Sequence, residues 1–393
     1  MGSLSLSQRV IALCFAIAVL EGFDIQALGV AAPAIAPAFS LSPAQVGWLF
    51  AISNIGIVLG AFSGGRAADV WGRRLILMIS VLTFSVGTLG VGVSQGYAAF
   101  FLARFLSGVG FGAALPNMMA MVVEVSEPTH RSRAAASVFC GMPLGGGSVA
   151  LLTQVLPPSS GWRALFLIGG LLPLGLTWAV HRGLPETRHG RHGQHCDTLP
   201  VRAALFGDGR WGRTLLLWLT FLPTLLSLYL LLNWLPILVT QKGFAKAVAP
   251  QASLVFNYAS VVGAVLVGAL VDRFGTRWVI APCYAALAAA LFGLAGTSEF
   301  SAILVLVGLV GFTLMGANYA LFGVAAAQYP LAGRGTGSGA AIGVGRVGSI
   351  VGPLLAGLLL GGGMSANGVI TVLIPGAVLA GLAVLCLRSQ PAE

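Results

Sequence analysis

The ten residues that decide the fold read Gly65-Arg66-Ala67-Ala68-Asp69-Val70-Trp71-Gly72-Arg73-Arg74. A second copy of the pattern reads Gly268-Ala269-Leu270-Val271-Asp272-Arg273-Phe274-Gly275-Thr276-Arg277. One copy alone fits an ordinary turn, in which glycine permits a tight reversal, the acid caps a helix N-terminus and the arginines neutralise the acid. Two copies at matched positions of the chain predict an internal repeat.

The composition around these loops is that of a membrane protein. Of 393 residues, 57% are hydrophobic and only 8% are charged, with a mean hydropathy of +0.93. No soluble core of this size requires so apolar a chain, which indicates a polytopic helical protein of the lipid bilayer. The net charge of +10 comes from arginines scattered singly between apolar runs, without the basic face that nucleic acid would need. The five cysteines are isolated, so no disulfide framework is expected.

Apolar runs of about 20 residues, bounded by charges, proline or glycine, predict twelve membrane-spanning helices. Six precede a polar central stretch, near residues 10–37, 44–64, 75–93, 97–124, 134–156 and 163–182. Six follow it, near residues 213–239, 250–271, 277–296, 300–327, 336–361 and 366–387. The first run is too long for a signal-peptide core and carries acids at its centre, so we expect it to be a retained helix.

The central stretch 183–212 is polar and rich in arginine, histidine and glycine. This composition predicts a linker on the cytoplasmic side, between an N-terminal bundle 1–182 and a C-terminal bundle 213–393. The linker holds a group whose spacing resembles a metal site: His189, His192, His195 and Cys196. A solvated linker is the favoured interpretation because no second ligand cluster supports a metal, and we expect neither a metal nor another cofactor.

Positive charge divides unevenly between alternate loops. With the N-terminus inside, the inner loops and tails hold Arg9, Arg66, Arg73, Arg74, Arg131, Arg133, the arginines from Arg182 to Arg213, Arg273, Arg277, Arg334 and Arg388. The outer loops hold only Arg163, Lys242 and Lys246. The positive-inside rule therefore predicts that both termini are cytoplasmic.

Two acids lie in the middle of the first apolar run, in Leu20-Glu21-Gly22-Phe23-Asp24-Ile25-Gln26. A charge at the centre of a membrane helix costs roughly 2.5 to 3.5 kcal/mol on insertion scales, so two of them indicate a function. Glu21 and Asp24 are three positions apart and share one helix face. The pair predicts a proton-coupled carrier, with Asp24 as the principal proton-binding group and Glu21 assisting.

Two arginines also lie within apolar runs. Arg104 stands in the fourth span and requires an acid or a bound anion, so we expect it to pair with Glu21 or Asp24, to take part in coupling, or to do both. Arg346 stands in the eleventh span, in a half whose apolar parts contain no acid. It is the candidate for binding a substrate carboxylate; the alternative is that it reaches Glu21 or Asp24. Glu124, near Arg131 and Arg133, fits an interfacial ion pair.

Polar and aromatic residues of the second half supply the mixture of flat apolar walls and hydrogen-bonding groups that an aromatic acid needs. A single Trp or Phe is better explained by packing or as an anchor at the membrane interface, so only the combination with Arg346 indicates a substrate site. They are Tyr229, Asn233, Trp234, Asn257, Tyr258, Asn318, Tyr319 and Phe322.

The repeated loops resemble the signature of the major facilitator superfamily. The resemblance covers the whole chain and implies an all-α integral membrane protein, with twelve helices in two six-helix bundles related as a pseudo-repeat around a substrate cavity. It also implies that the loop residues control conformational change: Gly65, Asp69, Gly72, Arg73 and Arg74, with Asp272, Arg273, Gly275 and Arg277. Two positions depart from the family pattern, where Val70 and Thr276 replace basic residues.

Within that superfamily, Glu21-Gly22-Phe23-Asp24 resembles the Asp-Gly-x-Asp motif of the aromatic acid:proton symporters, with Glu in the first position. Three further segments are most like the bacterial branch that imports 3-(3-hydroxyphenyl)propionate: Ala113-Ala114-Leu115-Pro116-Asn117, Asn233-Trp234-Leu235-Pro236, and Gly345-Arg346 followed by Gly352-Pro353-Leu354-Leu355-Ala356-Gly357. The resemblance implies uptake of an aromatic carboxylate with protons, in a monomer of the bacterial inner membrane, with Asn117 beside the substrate. Without the resemblance, composition and residue spacing predict only a proton-linked carrier of small anions.

Other functions are less well supported. A proton-driven exporter would be expected to carry a Gly-Pro signature in the fifth span, which here reads Gly141-Met142-Pro143-Leu144-Gly145-Gly146-Gly147. A transport-dead receptor for an aromatic acid has no need of both loop motifs and the acid pair. An enzyme is not expected, because the sequence shows no phosphate loop, no metal-ligand constellation and no nucleophile with a base.

Overall fold

The computed structural model describes residues 5–127, 130–156, 161–184 and 200–387, and the regular secondary structure within these ranges is helical. Twelve helices within these ranges are long and apolar enough to cross a membrane, which confirms the predicted spans. The chain forms two compact units, residues 1–192 and 193–393, and the boundary falls inside the stretch predicted to be a linker. His189, His192, His195 and Cys196 lie outside the described residues.

The first unit contains six long helices. They are α1 (Leu6–Ala38), α2 (Pro43–Trp71), α3 (Arg73–Val93), α4 (Tyr97–Val125), α5 (Arg131–Val155) and α6 (Arg163–Gly183). α1 and α2 begin at capping boxes, in which Ser5 pairs with Gln8 and Ser42 with Gln45, so two otherwise unsatisfied backbone donors are bonded at each start.

The second unit contains a short helix, α7 (Val201–Phe206), followed by six long ones. These are α8 (Trp211–Gln241), α9 (Ala249–Phe274), α10 (Thr276–Gly296), α11 (Phe300–Ala327), α12 (Arg334–Gly361) and α13 (Ala366–Cys386).

Part of the predicted linker is therefore ordered. The Thr214 hydroxyl donates to the carbonyl of Leu205 over 2.7 Å and lies 3.0 Å from the hydroxyl of Tyr329, which ties α7 to the start of α8. Burial raises the pKa of Tyr329, because a phenolate there would lose its hydration.

The two repeated loops have the same backbone geometry. Gly72 ends α2 with φ at 92°, and Gly275 ends α9 with φ at 83°, a region that favours glycine because it has no side chain. The expected capping by the loop acids is wrong: Asp69 and Asp272 lie in the last turns of α2 and α9, and α3 and α10 begin without a side-chain cap. An acid three residues before the turn is still part of the preceding helix.

The arginine that ends each ten-residue loop motif bonds to the C-terminal end of the last long helix of its own unit. Arg74 donates to the backbone carbonyl of His181, in the last turn of α6. Arg277 donates over 2.5 Å to the carbonyl of Leu385, in the last turn of α13. A cation at a helix C-terminus satisfies free carbonyls and complements the helix dipole. The predicted repeat thus extends to individual contacts.

Both units also pair their helices in the same order. In the first unit α1 packs on α5, α2 on α4 and α3 on α6; in the second, α8 packs on α12, α9 on α11 and α10 on α13. Glycine permits the closest approaches: a Cβ at Gly22 would lie 1.8 Å from the backbone oxygen of Met142, and one at Gly348 would lie 2.3 Å from that of Leu222. Such contacts are typical of membrane helices, which associate by packing rather than by hydrophobic burial.

Candidate functional site

The acid pair of α1 lies in the interior of the first unit. Asp24 is completely buried and Glu21 is 2% exposed. Arg104 of α4, also 2% exposed, donates from Nη1 to Oδ2 of Asp24 over 2.6 Å. Of the two acids proposed as partners for Arg104, the structure therefore shows an ion pair with Asp24. Glu21 lies one helical turn before it.

A third residue completes the site, and sequence reasoning did not find it. The hydroxyl of Thr88 on α3 donates to Oδ1 of Asp24 over 2.6 Å, and Thr88 is 1% exposed. Both carboxylate oxygens of Asp24 are thus bonded, one to a cation and one to a hydroxyl. The only signal in the sequence was a hydroxyl residue within an apolar run, which Thr83 and Ser85 share.

Glycines on α4 bring Arg104 to this position. A Cβ at Gly108 would lie 2.2 Å from the backbone oxygen of Ser53 on α2, and one at Gly110 would lie 2.5 Å from the backbone nitrogen of Phe84 on α3. At these two glycines the backbone of α4 therefore packs directly against the backbones of α2 and α3, without a side chain between them. This packing leaves the Arg104 guanidinium buried, with its Nε lacking a hydrogen-bond partner among the described residues.

Glu124, at the other end of α4, forms its ion pair with Arg73, the first residue of α3. The sequence had suggested Arg131 or Arg133 as neighbours. The pair joins the first loop motif to α4, so Arg73 has a structural partner in this unit. Asp69 is exposed and has no ion pair within the part of the chain that the structure describes.

The second unit holds the other intramembrane arginine. Arg346 on α12 is half-buried and donates from Nη1 to the hydroxyl of Tyr229 on α8 over 2.9 Å. Among the described residues of the second unit, no carboxylate forms an ion pair with Arg346. A guanidinium has five N–H donors, and one neutral hydroxyl leaves its charge uncompensated.

The residues proposed to line the substrate site fall into two groups. Tyr258 and Tyr319 are half-buried. Trp234 is 1% exposed, and its indole N–H donates over 3.0 Å to the carbonyl of Pro353 on α12. Asn233 donates over 2.6 Å to the carbonyl of Tyr229 in its own helix. Asn318 is 5% exposed, and its Oδ1 has no hydrogen-bond partner among the described residues.

Asn117, also proposed to contact substrate, is 3% exposed. Its amide donates over 2.8 Å to Ala113 in the same helix and over 3.4 Å to the carbonyl of Gly64 on α2. In this structure it joins α4 to α2. Among the described residues, no group of three or more His, Cys, Asp or Glu side chains could hold a metal ion.

Comparison with known families agrees with this architecture. A family model described as Major Facilitator Superfamily matches residues 14–266 and 246–393, which together cover most of the chain. The protein belongs to the major facilitator superfamily. It is therefore a transmembrane transporter, and the sequence resemblance to this superfamily is confirmed.

Curated relatives within the superfamily carry aromatic acids. The chain is 37% identical to the 3-(3-hydroxy-phenyl)propionate transporter of Escherichia coli K12, over 97% of this chain and 94% of the relative. It is 33% identical to the 4-hydroxybenzoate transporter PcaK of Pseudomonas aeruginosa, over 96% and 91%. It is 32% identical to the gallate transporter of Pseudomonas putida, over 98% and 93%. These relatives confirm the resemblance to the aromatic acid transporters.

Solved structures of the superfamily share the fold. A bacterial homolog of the human lysosomal transporter Spinster, in an inward-facing and occupied conformation, aligns with a TM-score of 0.77. The alignment covers 98% of this chain and 96% of that chain at 17% sequence identity. At this identity the likeness concerns the fold alone.

Proposed function

We propose that this protein imports an aromatic carboxylate together with protons, by alternating access, as a monomer in the bacterial cytoplasmic membrane with both termini inside. The observation that carries the proposal is Arg346, an intramembrane arginine whose bonded partner is a neutral tyrosine hydroxyl rather than an acid. A half-buried cation within an apolar span is costly unless an anion accompanies it, and a substrate carboxylate would be such an anion. The relatives that carry hydroxyphenylpropionate, hydroxybenzoate and gallate support this substrate class.

Arg346 binds the substrate carboxylate in this proposal. Its planar fork forms two parallel hydrogen bonds with a carboxylate, which a lysine ammonium cannot reproduce. Half-buried Tyr258 and Tyr319 provide ring surface for the aromatic part of the substrate. Trp234 contributes indirectly in this conformation, because its indole joins α8 to α12.

Asp24 is the proposed proton-binding group, with Glu21 assisting and Arg104 as the residue that senses its charge. Protonation of Asp24 would remove the anion that compensates the buried guanidinium of Arg104. The three helices that meet at this carboxylate, α1, α3 and α4, then favour a different arrangement. Proton binding is in this way coupled to a conformational change, and the proton gradient replaces any cofactor.

The loop motifs are proposed to stabilise one conformation over another. Asp69 lies at the C-terminal end of α2, where the helix dipole disfavours an acid, and it has no ion pair among the described residues. A partner gained in another conformation would offset that cost. Asp69→Asn should therefore change the labelling of substituted cysteines by membrane-impermeant reagents more than it changes substrate affinity. A changed affinity with unaltered labelling would remove Asp69 from this role.

Direct binding tests the substrate assignment. The purified protein is titrated with 3-phenylpropionate and with its uncharged amide, in native form and as Arg346→Ala and Arg346→Lys. We expect the native protein to prefer the acid, the Lys variant to bind it more weakly, and the Ala variant to lose the preference. If Arg346→Ala keeps the native preference for the acid, the carboxylate binds elsewhere, and Arg104 becomes the candidate to test.

A further inference from the structure

Asn318 on α11 differs from the other asparagines that lie deep in the long helices. Asn54, Asn117, Asn233 and Asn257 each donate to the backbone carbonyl four residues earlier, at 2.6 to 3.1 Å. Asn318 has no such bond among the described residues, although it is only 5% exposed, and its Oδ1 is buried without a partner. A carboxamide oxygen is therefore buried in α11 without a hydrogen-bond partner among the described residues.

Phe221 of α8 contacts both the helix that carries Asn318 and the helix that carries Arg346. The Phe221 ring packs on Phe322 of α11 at 5.9 Å between centroids. Phe221 also lies 3.4 Å from a Cβ placed on Gly345, the residue before Arg346. One side chain of α8 thus contacts both α11 and the part of α12 that carries Arg346. Asn318 precedes Phe322 by one turn and shares its helix face.

Helix directions place Asn318 at a depth between Phe221 and Tyr229. α8 and α12 run parallel, because Gly348 meets Leu222 and Gly352 meets Leu226. α11 directly precedes α12 and crosses in the opposite direction. From the Phe221–Phe322 contact, Tyr229 is about 12 Å along α8 and Asn318 is about 6 Å in the same direction, at 1.5 Å per residue. In depth, Asn318 is therefore offset by about 6 Å, roughly one helical turn, from Tyr229, the partner of Arg346.

We propose that Asn318 binds a hydroxyl group on the substrate ring and thereby selects hydroxylated aromatic acids over their unsubstituted analogues. A phenol is both donor and acceptor, so it can satisfy the carboxamide oxygen or the carboxamide nitrogen. A bare ring leaves the carboxamide buried and unpartnered, which is how a site built for a hydroxyl rejects an analogue that lacks it. The offset in depth between Tyr229 and Asn318 suits an aromatic acid whose carboxylate binds Arg346 and whose ring extends toward α11. The inference rests on the proposed function, since it assumes that Arg346 binds the carboxylate.

The test measures dissociation constants of the purified full-length protein in lipid nanodiscs. The probes are 3-(3-hydroxyphenyl)propionate and 3-phenylpropionate, which differ by one hydroxyl. We expect the native protein to bind the hydroxylated acid about tenfold more tightly, the effect of one neutral hydrogen bond. Asn318→Leu should lose most of that ratio by weakening the hydroxylated acid alone. Asn54→Leu is the matched control, because the buried Asn54 amide donates to the carbonyl of Phe50 in its own helix, and it should keep the ratio.

The other outcomes have distinct meanings. An unchanged ratio in Asn318→Leu, or equal weakening of both acids, would show that Asn318 acts only in packing. Equal binding of both acids by the native protein would overturn this inference while leaving the proposed function standing. Binding of neither acid would overturn both. If Asn318→Leu does not fold, Asn318→Ala, which removes the carboxamide without added bulk, is measured on the same pair with the same criteria.

Discussion

Nη1 of Arg104 lies 2.6 Å from Oδ2 of Asp24, and both side chains are almost completely removed from solvent. Removal of one member of a buried ion pair typically costs about 3 to 5 kcal/mol, because the other charge remains buried and uncompensated. The pair therefore has two separable consequences, one for folding and one for transport.

Arg104→Leu should lower the midpoint of thermal unfolding, and the double variant Asp24→Asn with Arg104→Leu should recover most of the loss. Asp24→Asn, alone or in the double variant, should abolish proton-driven accumulation in liposomes, because the proton-binding group is absent. Exchange of labelled for unlabelled substrate by Asp24→Asn is expected to persist. Normal proton-driven uptake by Asp24→Asn would exclude Asp24 from coupling.

Thr88→Val should destabilise the first unit by about 1.5 to 3 kcal/mol, the range for a hydrogen bond to a charged group. The valine keeps the shape of threonine but cannot donate to Oδ1 of Asp24. Thr83→Val is the control in the same helix, because the Thr83 hydroxyl is exposed and bonds the carbonyl of Ile79. Denaturation of both purified variants gives the comparison. Equal stability of the two would mean that the bond to Asp24 contributes nothing measurable.

Tyr229→Phe should weaken substrate binding about tenfold, because Arg346 loses the hydroxyl that orients its guanidinium. The affinity for an aromatic acid should fall while the affinity for its uncharged amide stays unchanged. Tyr258→Phe serves as the comparison, because Tyr258 is half-buried and the structure shows no hydrogen bond from it to Arg346. An equal loss for acid and amide in Tyr229→Phe would point to disturbed packing instead.

Arg74→Ala and Arg277→Ala should each destabilise their own unit by about 1 kcal/mol, because each removes a cation bonded to a helix C-terminus. Arg66→Ala in the first loop is the control, since Arg66 is exposed and the structure shows no bond of this kind for it. Hydrogen exchange at the last turns of α6 and α13 locates the effect. Unchanged exchange at both helix ends would contradict the capping role.

Gly22→Ala should impair folding strongly, because the added Cβ would lie 1.8 Å from the backbone oxygen of Met142 and would force α1 and α5 apart. Gly175→Ala in α6 is the matched control: nothing lies within 4 Å of its Cβ position. At that site alanine should stabilise the helix by up to about 1 kcal/mol. Yields of folded protein and melting temperatures distinguish the two, and a native-like Gly22→Ala would disprove the close contact.

Much of this architecture was predictable from the sequence. Hydropathy alone located the twelve spans, because each helix must satisfy its own backbone in lipid and therefore needs a continuous apolar run. The repeated loops predicted the pseudo-repeat and the superfamily. The acids of α1 and the arginines of α4 and α12 stood out because charge within such runs is rare. The roles of these residues in transport stay predictions.

Only the tertiary structure decided which groups meet. Arg104 forms an ion pair with Asp24, and Thr88, one of several hydroxyl residues in α3, donates a hydrogen bond to the same acid. Arg73 forms an ion pair with Glu124. The indole of Trp234 on α8 donates a hydrogen bond to α12. The tertiary structure also left Oδ1 of Asn318 without a hydrogen bond from any described residue. These choices depend on how each helix is rotated about its axis. Lipid and protein interior are both apolar, so hydropathy carries little information about that rotation, and contacts between glycines and distant backbones determine it.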